Sequence, residues 1–360
     1  MALSKLLMKR FTSSLETDRF SLTGFLGRLS VSISFIVFVI FRAGFRPVDG
    51  LQGYVDVAQG FPSSSAGFMR TSLMHAMFGW ALNLNSRFLW MLAYLLLIVV
   101  AIFWFRVRLA SITGGADQVL MLILLGPIGT SLFIQIGHYD TLLIIGSLLL
   151  VTSRSVVTQL IAVLLMVGAN VELAVVSLVM LAIVSSVMTT TVSVRRIAAL
   201  GTLSTTFWYS ISLRLFGTDA IGEGRIGFFI DQVKSSIILN TRTVPLLAFS
   251  FFGLCWVPLV LVLKLQQELK TRVILTIGLV VIPAIFTFVT LDGTRVFAGL
   301  SAASFAAVLT VSSNQMAERF PTLYKPGSII IGSLFVPSVW SYMGDIRAPH
   351  GFLYELIFDR

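Results

Sequence analysis

The chain has 360 residues, 56% of them hydrophobic and 12% charged, with a mean hydropathy of +0.94. So much apolar residue with so little charge excludes an ordinary water-soluble domain and indicates an integral membrane protein. A formal charge of +10 would suggest nucleic acid in a soluble chain, but here the basic residues sit in short loops between apolar runs, where membrane orientation accounts for them. The single cysteine, Cys255, allows neither an internal disulfide nor a cysteine metal cluster.

Leu3, Leu6, Leu7 and Phe11 share one helical face with Lys5 and Lys9 opposite, so residues 1–22 read as a helix lying on the membrane surface. A spanning-length window then predicts about eleven membrane helices, near 24–42, 88–105, 118–136, 139–153, 155–169, 171–191, 197–216, 244–263, 273–291, 295–311 and 327–344. The expected fold is an all-α, polytopic transmembrane bundle forming a single membrane-embedded domain over residues 1–360. Two long loops interrupt it. The first, 43–87, carries Arg46, Asp49, Tyr54 and Asp56, then Gly67-Phe68-Met69-Arg70 opening a semi-apolar stretch suited to the interface. The second, 217–243, carries Asp219, Glu223, Arg225, Asp231, Lys234 and Arg242, mixed charge that suits a lid over a site near the membrane surface.

Alternating the sides of the predicted spans from a cytoplasmic amino terminus puts fifteen of the 26 basic residues and only five of the 16 acidic ones inside. The outer basic residues lie mostly in the two long loops, which count little in the positive-inside rule. Polar span ends then gather outside: Asp49 and Asp56, His138 and Asp140 in Gly137-His138-Tyr139-Asp140, Asn170 and Glu172, and Asp292 with Arg295 in Asp292-Gly293-Thr294-Arg295. The inner turns are basic and otherwise plain, as in Arg106-Val107-Arg108 and Arg195-Arg196.

Each group has a chemical reading and a structural one. Asp49 and Asp56 are seven apart, on one face if helical, and either could take a proton from an attacking hydroxyl; each could equally be a solvated loop acid. His138 and Asp140 do not share a helical face, so one could enter a cavity while the other caps a helix; ionisable groups this close to hydrocarbon are costly and mark a site. Glu172, nearly alone in apolar sequence, needs a partner such as Arg295 or Arg70. Asp292 and Arg295, at i and i+3, can share a face near a positive helix end, the arginine holding a phosphate or merely marking the boundary as a local ion pair. Arg225 and Arg242 are further phosphate candidates.

Gly222-Glu223-Gly224-Arg225-Ile226-Gly227 fits GxGxxG but follows a membrane span rather than a buried strand and reads as loop glycine. No P-loop, HExxH or GxSxG occurs. With histidine only at 75, 138 and 350, a histidine-rich metal centre is not expected.

The layout resembles the GT-C superfamily of multi-span glycosyltransferases and, more loosely, the membrane polymerases of bacterial surface polysaccharides. The resemblance rests on Asp49, Asp56, Gly67-Phe68-Met69-Arg70, His138-Tyr139-Asp140, Glu172 and Asp292-Gly293-Thr294-Arg295. It implies transfer of a sugar from a polyprenyl-phosphate donor to a saccharide or lipid acceptor at the outer face of a bacterial inner membrane. By the same resemblance Asp49 or Asp56 is the base and Arg70, Arg225, Arg242 or Arg295 holds the donor phosphate, with His138, Asp140, Glu172 and Asp292 in the substrate site. No cofactor is implied. The paired acidic motif common in that first loop is absent, six residues separating the two acids. A lipid-linked donor fits physically, because its chain dissolves in the bilayer while its phosphate stays at the headgroups. The competing expectation is a transporter or flippase of a lipid-linked or anionic substrate, which needs polar groups along a two-sided passage.

Overall fold

The computed structural model describes residues 22–62, 72–217, 225–336, 338–342 and 345–347. The expected surface helix at 1–22 lies almost wholly outside them, as do Gly67-Phe68-Met69-Arg70, Asp219, Glu223 and His350.

The described residues are almost entirely helical, as the apolar runs require. Helix α1 (Leu22–Ala43) is followed by two short helices inside the first long loop, α2 (Leu51–Gln59) and α3 (Leu73–Ala81). Next come α4 (Arg87–Ala110), the pair α5 (Ala116–Leu125) and α6 (Pro127–Ile134), then α7 (Asp140–Thr152), α8 (Val156–Ala169), α9 (Val171–Ser185) and α10 (Val194–Phe216). The second long loop is largely a helix too, α11 (Arg225–Arg242), so both loops are more ordered than expected. The chain continues through α12 (Val244–Phe252), α13 (Trp256–Leu265), α14 (Leu269–Thr276), α15 (Ile282–Phe288), α16 (Gly293–Arg319) and α17 (Pro326–Phe335). A small antiparallel pair, β1 (Trp340–Tyr342) and β2 (Asp345–Arg347), replaces the end of the span expected at 327–344.

Each of the eleven expected segments coincides with a helix or helix pair, but they are unequal. Among the described residues four are long and apolar enough to cross a membrane alone, namely Arg87–Ala110, Val244–Leu265, Leu269–Phe288 and Gly293–Arg319. A fifth is α5 with α6, bent by 58° where Gly126 and Pro127 interrupt the backbone ladder. Helices α7, α8 and α9 have 13, 14 and 15 residues, or about 20–22 Å at 1.5 Å per residue, short of the ~30 Å hydrocarbon core. Between α14 and α15, a π turn over Ile277–Val281 precedes Pro283, which has no N–H to donate into the helix.

The most and the least apolar spans differ sharply in burial. The most apolar span, Arg87–Ala110, has only 33% of its window buried and turns Phe88, Leu92, Leu96 and Val100 outward. The least apolar of the four, α16, is 94% buried and packs against α5, α6, α7, α9, α13 and α15. It is rich in small residues, among them Gly299, Ala302, Ala303, Ala306 and Ala307, which let neighbouring backbones approach. Several of its hydroxyls are satisfied within the helix: Ser301 donates to the Phe297 carbonyl and Thr310 to that of Ala306.

Polar contacts fall into two groups at opposite helix ends. At one end Arg46 N–H donates to Phe133 O, Val48 N–H to Ile136 O, and the Trp90 indole to Gly137 O. At the other, Arg106 pairs with Asp117, Thr113 donates to Asn314, and Thr191 donates to Val151 O. The first group contains the polar span ends singled out in the sequence.

Candidate functional site

Arg295 lies in the first turn of the buried helix α16, so its guanidinium enters the protein rather than solvent. A buried cation there requires counter-charge, and two helix starts supply it. Nη1 donates to Asp140 Oδ2 at 2.9 Å and to the Tyr139 hydroxyl at 3.1 Å, while Nη2 pairs with Asp292, the residue before α16. The spacing of Asp292 and Arg295 thus gives the ion pair that i and i+3 allow.

Asp140, only 2% exposed, is held on both oxygens. Asn170 Nδ2 donates to Oδ1 at 3.0 Å, and the Asn170 oxygen accepts from Leu173 N–H, capping α9. One asparagine therefore fixes a carboxylate on α7 and closes the start of α9.

His138 joins the same cluster. Its Nε2 lies 2.8 Å from Arg295 Nη1, and its Nδ1 lies 3.1 Å from the Asp140 N–H and 3.5 Å from Asp140 Oδ2. Both ring nitrogens face a donor, yet a neutral imidazole accepts at only one, so one donor goes unmet in either tautomer. His138 and Asp140 are both buried, correcting the expectation that one enters a cavity while the other caps α7.

Formal charges on Asp140, Asp292 and Arg295 sum to −1. Arg295 is neutralised, so the expectation that it holds a donor phosphate is corrected: its two terminal nitrogens are already given to carboxylates and their neighbours. Asp292 is the more open acid, its side chain 22% exposed against 2% for Asp140. Among the described residues, Asp292 Oδ1 and Arg295 Nε have no hydrogen-bond partner.

A second buried group leans on the first. Tyr54 of α2, His75 of α3 and Trp90 and Tyr94 of α4 pack edge-on or stacked, and Tyr54 meets both His138 and Tyr139, with ring centroids 5.9 and 6.1 Å apart. His75 Nδ1 is 2.5 Å from the Tyr94 hydroxyl. The sequence reading missed this second histidine, and Tyr94, because both sit in apolar stretches without a polar neighbour to flag them.

The other expected site residues stand elsewhere. Asp49 pairs with Arg46 at 2.6 Å, both half-exposed, and Asp56 accepts from Gln52 on the open face of α2, opposite Tyr54 and Val55. Neither joins the buried cluster. Glu172 begins α9 and is half-buried, within electrostatic reach of Tyr209 on α10; Arg295, expected as its partner, is taken by Asp140 and Asp292 instead. Arg242 is exposed at the end of α11, two residues after Asn240, whose amide donates to Phe288 O at 2.7 Å and Thr290 O at 2.9 Å just before Asp292. The Arg225 side chain and Arg70 lie outside the described residues. Among the described residues no group of three histidine, cysteine or acidic side chains is placed to hold a metal ion.

Fold and site together define an all-α protein with several helices able to span a membrane, carrying a buried ionic cluster where the starts of three helices, α7, α9 and α16, meet. No family model matches the chain, and no curated protein matches it.

Proposed function

We propose that this protein is a membrane glycosyltransferase that moves a sugar from a polyprenyl-phosphate donor to a saccharide or lipid acceptor. The reading takes about eleven membrane segments, a cytoplasmic amino terminus, and the His138–Arg295 end at the outer face of a bacterial inner membrane. It keeps the GT-C resemblance and moves the base. What carries it is the gathering of His138, Asp140, Asp292 and Arg295 at one end, where the Asp292 side chain is partly open while its Oδ1 is buried and has no hydrogen-bond partner among the described residues.

In this reading Asp140 and Asn170 fix Arg295, and Arg295 holds one oxygen of Asp292. The other oxygen, buried and unpartnered until an acceptor packs against it, takes the proton of the acceptor hydroxyl as the hydroxyl oxygen attacks the anomeric carbon. The bond from that carbon to the phosphate oxygen breaks, and its electron pair leaves on polyprenyl phosphate. Exposed Arg242, close in the chain to the anchor before Asp292, supplies positive charge for the donor phosphate.

The test uses purified protein in lipid vesicles with a panel of polyprenyl-phosphate sugars. Asp292→Asn is expected to lower turnover by about 100-fold or more, the usual range for a lost general base, whereas Asp49→Asn and Asp56→Asn keep most of it. Full turnover in Asp292→Asn refutes the assignment. Movement of intact donor across the bilayer with no covalent product would place the chain among transporters or flippases instead.

A further inference from the structure

Away from the carboxylate cluster, Arg42 at the end of α1 is half-buried and ties three helix ends together. Its Nε donates to Ser333 O at 2.8 Å, Nη1 to Leu125 O at 2.9 Å and Nη2 to Val336 O at 2.7 Å. These carbonyls belong to the last turns of α17 and α5 or directly follow them, where helix dipoles are negative. Among the described residues Arg42 makes no ion pair. Carbonyl dipoles orient a guanidinium but leave its net charge standing, and two of its five N–H groups carry no bond here.

The guanidinium borders a shallow crevice, open on one side, lined also by Gly126, Pro127, Thr130, Ser250 and Ser338. The lining holds one cation and no carboxylate; its hydroxyls are engaged within the protein, Thr130 with Gly126 O and Ser338 and Ser250 with Leu247 O, so the donors left for an anion are the two unbonded N–H groups of Arg42. Apolar stripes flank it. Ile33, Val37 and Phe41, four apart on one face of α1, are exposed, and so are Ile331, Leu334 and Phe335 on α17, the helix that Arg42 joins to α1. In a membrane these faces meet acyl chains, and the end of α1 stands at headgroup depth.

We infer that the Arg42 crevice seats the phosphate of an anionic bilayer phospholipid, whose acyl chains lie along the outer faces of α1 and α17. The proposal rests on the membrane reading and not on sugar transfer.

The experiment measures lipid retained by the full chain, purified from vesicles containing phosphatidylglycerol and phosphatidylcholine, by native mass spectrometry. The wild type is expected to keep one phosphatidylglycerol in preference to phosphatidylcholine, and Arg42→Met to hold it at least tenfold more weakly. Because Arg42→Met also removes a clamp on three helix ends, Ser338→Phe, which fills the crevice and spares the arginine, should lose the same lipid while the protein stays folded. Equal retention by wild type and Ser338→Phe overturns the inference. So does displacement of the lipid by an equimolar polyprenyl phosphate, which would mark a donor site, or by millimolar inorganic phosphate, which would mark a site for the free ion.

Discussion

Replacing Asp140 by asparagine tests whether the buried cluster is held together by charge or by shape. The carboxylate accepts from two donors on two oxygens, Asn170 Nδ2 at 3.0 Å and Arg295 Nη1 at 2.9 Å. An amide of the same size offers one oxygen only, so whichever donor it satisfies, its NH2 faces the other. The substitution also leaves Asp292 as the remaining acid on the guanidinium. At the 2.9 Å separation and an effective dielectric near 20, the lost attraction is about 6 kcal/mol before desolvation is returned. Breaking one side of a buried pair costs about 3–5 kcal/mol net, a fall in melting temperature on the order of 10 °C. Thermal unfolding in detergent, followed by tryptophan fluorescence, measures it. The exchange Asp140→Asn with Asn170→Asp restores a donor facing each acceptor, since the new carboxylate can take both the new amide and Leu173 N–H; it should recover more than half of the loss. A melting temperature within 1 °C of wild type for Asp140→Asn, or no recovery in the exchange, would refute the electrostatic account.

Three further outcomes follow from packing and satisfaction. A methyl group at Gly146 would lie 2.6 Å from Ala162 O and 2.7 Å from Met166 Cγ where α7 crosses α8; Gly146→Ala should destabilise by about 1–3 kcal/mol, the usual cost of overpacking, read as an earlier unfolding transition. Tyr94→Phe removes the hydroxyl on buried His75 Nδ1 and should cost about 1–3 kcal/mol for the stranded imidazole nitrogen, with unchanged stability counting against the bond. Asn240→Ala removes two hydrogen bonds that fasten α11 to the turn before Asp292; hydrogen exchange should rise over 225–242, and sugar transfer should fall with it.

The sequence reached the all-α fold and most helix positions because lipid and backbone leave few choices: an apolar run in hydrocarbon must satisfy its own N–H and C=O groups, and a helix does so. It also marked His138, Asp140, Asp292 and Arg295, since charge inside apolar sequence is expensive and stands out. It did not mark His75, Tyr94 or Arg42. A tyrosine inside a predicted span, an arginine at a span end and a histidine in a semi-apolar loop each have an ordinary reading, and no local pattern says that they point inward.

The partnership of Arg295 with Asp140 was decided by tertiary structure alone. Arg295 lies 155 positions from Asp140, and nothing local chooses between that acid and Glu172; the choice is made by α16, whose small residues draw it into the centre where α7 and α9 can reach its first turn. The same packing leaves Asp49 and Asp56 outside, because α2 turns Tyr54 and Val55 inward and the period of 3.6 then carries Asp56 to the open face. Composition and periodicity fix which segments are helices, being properties of residues a few positions apart. Which acids share an arginine depends on contacts between helices far apart in the chain, and those arise only when the bundle closes.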